Sequence, residues 1–131
     1  FRTTHFSFVP NGIDLDAFSC KPVPKGATPV IVGIGRHVPE KRWDRLLDLA
    51  ILLNKKKLNY QIKIVGAGCL EGRLRAMIGE NRLEKIISLA GYLPDVRPLL
   101  YESSVLVLMS EHEGCPNVAM EAMAWLVTAT T

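Results

Sequence analysis

Two glutamates eight positions apart, Glu113 and Glu121, bracket Gly114, Cys115, Pro116 and Asn117. The stretch between them reads as a helix start, because proline near a first helical position gives up an N–H that has no partner there anyway. The amides around Cys115, Asn117 and Val118 then lack a helical acceptor and can bind ligand oxygens. Gly114 lets a ligand approach the backbone closely. Glu113 stands just before these donors and can accept hydrogen bonds from hydroxyls, of which a sugar has many. Glu121 lies ~6 Å along the helix axis from Asn117, within reach of a second diol such as a ribose. The competing reading is a capping Glu113 and a solvated Glu121. However, Met120, Ala122, Met123 and Ala124 flank Glu121, and a glutamate on a buried helix needs partners.

A second constellation is GRHVPEK, from Gly35 to Lys41. An apolar run ends, Gly35 turns the chain, and Arg36 and Lys41 follow around the start of a helix. Two cations beside a helix N-terminus make an anion site: arginine forks onto phosphate oxygens and lysine adds a point charge. Taken alone, the pair also fits a solvated surface loop.

Other motifs are weaker. VGAGCLEG, from Val65 to Gly72, has Gly66 and Gly68 in place for a dinucleotide fingerprint, but Glu71 stands where the third glycine belongs. It reads as a tight strand-to-helix turn that can still line a nucleotide pocket. Asp14-Leu15-Asp16 has the D-x-D form of a divalent-ion site, with no further ligand nearby. His112 is adjacent to the first constellation and can donate to a substrate or simply be exposed; His5 and His37 have no assigned role. Cys115 has no paired base, which argues against a nucleophile.

Positioning these groups requires a scaffold, and the pattern supplies one. Apolar runs at 30–35, 61–65, 86–90 and 105–109 read as strands. Helical spacing occupies 42–56, 70–78, 95–101 (weakened at its start by Pro98) and 116–125, and residues 126–130 are expected to begin another strand. Alternating apolar strands and helices predict an α/β fold, a Rossmann-like parallel sheet with helices on both faces. In such sheets ligands lie beyond the carboxyl ends of the strands. The loops carrying Gly35-Arg36, Gly66-Gly68 and Ser110–Asn117 all fall there.

The bulk properties fit one modest domain: 131 residues, 48% hydrophobic and 22% charged, with a formal net charge of +3. That charge is too small to indicate nucleic acid. Lys55-Lys56-Lys57 falls where a helix ends and complements its dipole. Three cysteines without C-x-x-C spacing fit reduced thiols rather than a disulfide framework or zinc site. No apolar stretch approaches ~20 residues. Both ends read as cut from something longer.

The ordered set VPNGIDLDAF, GIGRHVPEK, IVGAG, LAGYLPDV and SEHEGCPNVAMEAMA resembles the C-terminal, donor-binding domain of retaining glycosyltransferases of family four, which have the two-domain GT-B fold. The resemblance implies that residues 1–131 are a partial donor domain, truncated from a GT-B protein and without the N-terminal acceptor domain or the C-terminal helices. It implies Arg36 and Lys41 on the donor diphosphate, and Glu113 on sugar hydroxyls with help from amides of Gly114 through Val118. Glu121 would hold the ribose, with Gly35, Gly66, Gly68, Tyr92 and Leu93 around the nucleotide. Asn11-Gly12 would be a turn at the domain entrance. It further implies no metal cofactor, a nucleotide sugar as donor, and a saccharide or lipid-linked acceptor bound by the absent domain. The setting would be cytoplasmic, with peripheral attachment to the inner membrane face as a compatible variant, and in polysaccharide or glycoconjugate synthesis. The isolated segment would be inactive. Alternatives from other classes are a GT-B-fold sugar-nucleotide epimerase and a non-catalytic nucleotide-sugar binding module. The chain departs from the family in EAMAWLVTATT, which lacks the usual Gly-x-Pro turn after the second glutamate.

Overall fold

The computed structural model describes residues 11–14, 27–113 and 116–129. Four strands, β1 (Val30–Ile34), β2 (Gln61–Val65), β3 (Ile87–Gly91) and β4 (Val105–Leu106), form one parallel sheet in the order β3-β2-β1-β4. Between and after them run α1 (Trp43–Lys55), α2 (Glu71–Glu80), α3 (Arg97–Glu102) and α4 (Asn117–Ala129). The chain moves outward from β1 to β3, then returns to the opposite side of β1 for β4. That reversal creates a crevice at the carboxyl ends of the strands.

Because side chains alternate along a strand, β1 and β2 each feed two cores, one on either face of the sheet. Ile62 and Ile64 pack with Trp43, Leu46, Leu47 and Ala50 of α1 and with Leu74 and Ile78 of α2. Val32 and Val65 point the other way and meet Leu99 and Leu100 of α3, with Ala122 of α4 against them. The expected two-faced α/β architecture is thus present. Gly33 is required by packing: a Cβ there would lie 2.7 Å from the Trp43 ring. The buried Tyr60 hydroxyl donates to the Ala50 carbonyl at 2.6 Å, which satisfies its polar end.

Helices α1 and α2 end alike. Lys57 and Arg82 take left-handed φ of 55° and 56°. Their amides return to Asn54 and Gly79, and the next amides, of Leu58 and Leu83, to Leu53 and Ile78. These are Schellman caps, usually completed by glycine. The lysine run therefore does close a helix.

Three expectations need correction. Residues 126–129 continue α4 instead of opening a strand, since neither glycine nor proline intervenes to stop the helix. Only Val105 and Leu106 of the 105–109 run join the ladder, although the Val107 amide still reaches the Val32 carbonyl at 2.9 Å. Pro98 does not weaken α3, because it occupies the first turn, where no amide donor is needed. Asp16, His5 and Cys20 lie outside the described residues, so the D-x-D motif is represented by Asp14 alone.

Candidate functional site

At the carboxyl edge of the sheet the loops are joined by backbone hydrogen bonds. Gly35 N–H donates to the Val65 carbonyl, His37 N–H to Ala67, Leu70 N–H to His37 and Gly66 N–H to Gly91, all at 2.8–3.0 Å. The join is so close at Gly66 that an added Cβ would fall 1.9 Å from the Gly35 carbonyl oxygen, and its φ is +140°. Only glycine fits there.

These joined loops form one wall of a cavity of about 370 Å³. Ile34, Gly35 and Arg36 come from the end of β1, and Val65, Gly66 and Ala67 from the end of β2. Tyr92, Leu93 and Val96 follow β3, and Asn117, Val118 and Glu121 open α4. Arg36 is exposed. Its carbonyl is pinned by the Trp43 indole N–H at 2.9 Å, and no ion pair joins it to another described residue. Tyr92 is 73% exposed and offers a free aromatic face. The Pro116 carbonyl accepts from Ala119 and Met120 N–H groups, so the earlier amides of Asn117 and Val118 remain for other acceptors.

Lys41 and Glu113 stand beside this cavity rather than in its lining. Lys41 ends a short 3-10 turn, Pro39–Lys41, and its Nζ pairs with Glu113 Oε1. Its aliphatic stem runs past Gly35, 3.5–3.6 Å from where a Cβ would stand. Ser110 Oγ donates to the same Glu113 oxygen at 2.5 Å. The lysine, then the serine, hold the Glu113 carboxyl below the ordinary carboxylate range. Arg42 fixes the neighbouring segment by gripping Asp44 with two nitrogens and Glu111 with a third. Those bonds raise the guanidinium pKa and lower that of Asp44. The Glu111 N–H donates to the Glu40 carbonyl at 3.0 Å.

The fold therefore gathers Gly35, Arg36, Gly66, Tyr92, Leu93, Asn117, Val118 and Glu121 around one cavity, with the Lys41–Glu113 pair adjoining it. Gly68 is taken up elsewhere: a Cβ there would meet the His37 backbone at 2.5–2.8 Å. Pro116 caps α4 through its carbonyl. Gly114 and Cys115 lie outside the described residues. His112 is exposed.

Sequence reasoning missed three participants. Ser110 carried a signal, lying three residues before Glu113. Asn11 was read only as a turn, yet its Nδ2 donates to Asn117 Oδ1 at 2.9 Å. His37 had none: its imidazole is fully buried, edge-on to Trp43 at 5.5 Å, with no hydrogen-bond partner for either nitrogen among the described residues. Burial pushes its pKa down. A larger cavity of about 510 Å³ opens between α1 and α2, but Arg42 there is already matched by Asp44 and Glu111.

Comparison with known proteins places this chain in a family. The model of glycosyl transferases group 1 matches residues 28–129. The chain is 31% identical over 122 residues to the putative colanic acid biosynthesis glycosyltransferase WcaL of Escherichia coli K12, covering 86% of this chain and 30% of that protein. It is 35% identical over 97 residues to a poly(ribitol-phosphate) alpha-N-acetylglucosaminyltransferase of Staphylococcus aureus, covering 73% of this chain and 20% of that one. The chain thus spans a third or less of these relatives. Among solved structures, a variant of S. aureus TarM in complex with fondaparinux, alpha-GlcNAc-glycerol and UDP superposes with a TM-score of 0.72. It is 29% identical over 82% of this chain and 22% of its own. The lipopolysaccharide outer core galactosyltransferase WaaB shares the fold, with a TM-score of 0.76 at 24% identity over 91% of this chain and 34% of its own. The fold is that of one half of a GT-B glycosyltransferase, and the chain belongs to the group 1 glycosyl transferases.

Proposed function

We propose that this chain is the donor-binding half of a retaining glycosyltransferase of family four, acting in polysaccharide or glycoconjugate synthesis on the cytoplasmic side of the membrane. The acceptor, a saccharide or lipid-linked saccharide, would be bound by a part of the protein outside this chain. The observation that carries the reading is the meeting of Arg36, Tyr92, Asn117 and Glu121 around one cavity, with Lys41 and Glu113 next to it. The relatives support transfer over epimerisation, since they are described as glycosyltransferases, and the TarM structure holds UDP.

On this reading the donor diphosphate lies against Arg36 and the α4 amides, with the ribose on Glu121 and the base near Tyr92 and Leu93. Lys41 then exchanges partners. As its ammonium turns from Glu113 to the diphosphate, the carboxylate is released to sugar hydroxyls. When the glycosidic bond breaks, negative charge grows on the leaving diphosphate. Arg36 and Lys41 stabilise that charge more than they stabilise the bound donor, so they lower the barrier. Side-chain cations, rather than a metal ion, carry the leaving-group charge. Glu113 orients the sugar rather than forming an adduct with it.

The test is calorimetric titration of the full-length protein with UDP, GDP and ADP. One of them should bind, and the Arg36→Ala, Lys41→Ala double variant should lose most of that affinity. Unchanged binding in the folded double variant overturns the diphosphate assignment. Each single replacement should raise the transfer barrier by about 2–4 kcal/mol, as removal of an oxyanion donor does.

A further inference from the structure

We propose that Asn11 is a positioning residue for the donor cavity, setting which end of the Asn117 side-chain amide faces the ligand. This rests on the donor-site reading above. Asn11 Nδ2 donates to Asn117 Oδ1 at 2.9 Å, across 106 positions of sequence. Asn117 is also part of the cavity wall, together with Arg36, Tyr92, Val118 and Glu121.

A carboxamide has an accepting end and a donating end, and rotation by half a turn exchanges them. With Oδ1 engaged by Asn11, Asn117 presents Nδ2. That is the useful end, because phosphate oxygens only accept hydrogen bonds. An unrestrained Asn117 would spend part of its time with Oδ1 toward those oxygens, where it repels them, and would have to be ordered on binding. Both asparagines are exposed, so the bond adds little to the stability of the fold. What it supplies is orientation. It also gives Asn11 a task, since its side chain meets the first residue of α4.

A double-mutant cycle on the full-length protein tests the idea, with UDP binding read by calorimetry in wild type, Asn11→Ala, Asn117→Ala and the double variant. Asn11→Ala should weaken UDP about 5-fold, the equivalent of one neutral hydrogen bond. In the Asn117→Ala background the same change at Asn11 should do nothing, because the group it orients is gone. Thermal melts taken alongside should stay close to wild type. An equal loss in both backgrounds, or no loss in the single variant, overturns the positioning role even if the donor site is correct. Failure of wild type to bind UDP, GDP or ADP instead removes the donor reading, and this proposal with it.

Discussion

The two sides of β1 are built differently. Toward β2, five consecutive pairs from Val30↔Gln61 to Ile34↔Val65 hold the ladder, and a large core of fully buried residues such as Leu46, Leu47, Ile62 and Ile64 lies beneath it. Toward β4 the ladder has two pairs, and the core on the opposite face, built from Val32, Val65, Leu99 and Leu100 with Leu106 of β4 against them, is much smaller. The glycine turns and Arg36 grow from the first side. Glu113, Asn117 and Glu121 come from the second. Arg36 is thus held by backbone and packing, whereas the acidic segment, with one backbone bond from Glu111 to Glu40, relies mainly on side-chain bonds: Lys41 to Glu113, Arg42 to Glu111 and Asn11 to Asn117. Damage to the core beneath the first side should appear as lost stability, and damage to the side-chain bonds of the second as lost affinity.

The largest expected effect breaks the stronger side. Leu46→Ala should cost about 2–5 kcal/mol in chemical denaturation, as buried leucine truncations do. Met123→Ala on the weaker side, at a residue 64% exposed, should stay within about 0.5 kcal/mol. Equal losses would erase the contrast. Next comes Gly33→Ala, which pushes a methyl into the Trp43 ring and should cost about 1–3 kcal/mol. Shortening the ring with Trp43→Leu should recover part of the alanine penalty, read as non-additivity of the two changes.

The pH dependence of stability separates the sides by window. His37, on the packed side, has its pKa lowered by burial from an ordinary value of 6.5. The unfolded chain therefore takes up that proton first, and stability present above pH 6.5 is lost as pH falls through the folded value. His37→Phe should remove this loss from urea titrations between pH 7.5 and pH 5. Glu113 is also lowered, by Lys41 and then Ser110, from 4.5. Its contribution is present above pH 4.5 and disappears as pH drops further, so Glu113→Gln should flatten only that lower range. The pair stabilises the fold by no more than about 1 kcal/mol, because both side chains retain solvent contact. The smallest effect is a gain: Arg82→Gly relieves a left-handed residue and should add at most about 1 kcal/mol.

Much of this was legible because short-range rules dominate where the core is dense. The run Val30–Ile34 and the spacing of Trp43, Leu46, Leu47 and Ala50 announce β1 and α1 directly. The weaker side was read less well. The β-branched Val127 and Thr128 suggest a strand after Trp125, yet intrinsic preferences differ by only tenths of a kcal/mol, and α4 runs to Ala129. Gly35, Arg36, Gly66, Tyr92, Leu93, Asn117, Val118 and Glu121 were anticipated from the loops at strand ends, whereas Ile34, Val65 and Val96, which also line the cavity, were not. Partnerships between distant positions were not: Lys41 and Glu113 are separated by 72 residues, and Asn11 and Asn117 by 106. Spacing along a chain does not encode such meetings. The burial of His37 escaped for the same reason, since its cover comes from the β2–α2 turn.

The abutment of Gly66 on Gly35 has an evolutionary corollary. If every substitution at position 66 were made and the population sorted only for intact molecules, with no nucleotide offered, the site should still return almost nothing but the parent residue. An invariant glycine there would then say nothing about catalysis. It would mark where two turns of main chain are so nearly touching that even one methyl group has nowhere to go.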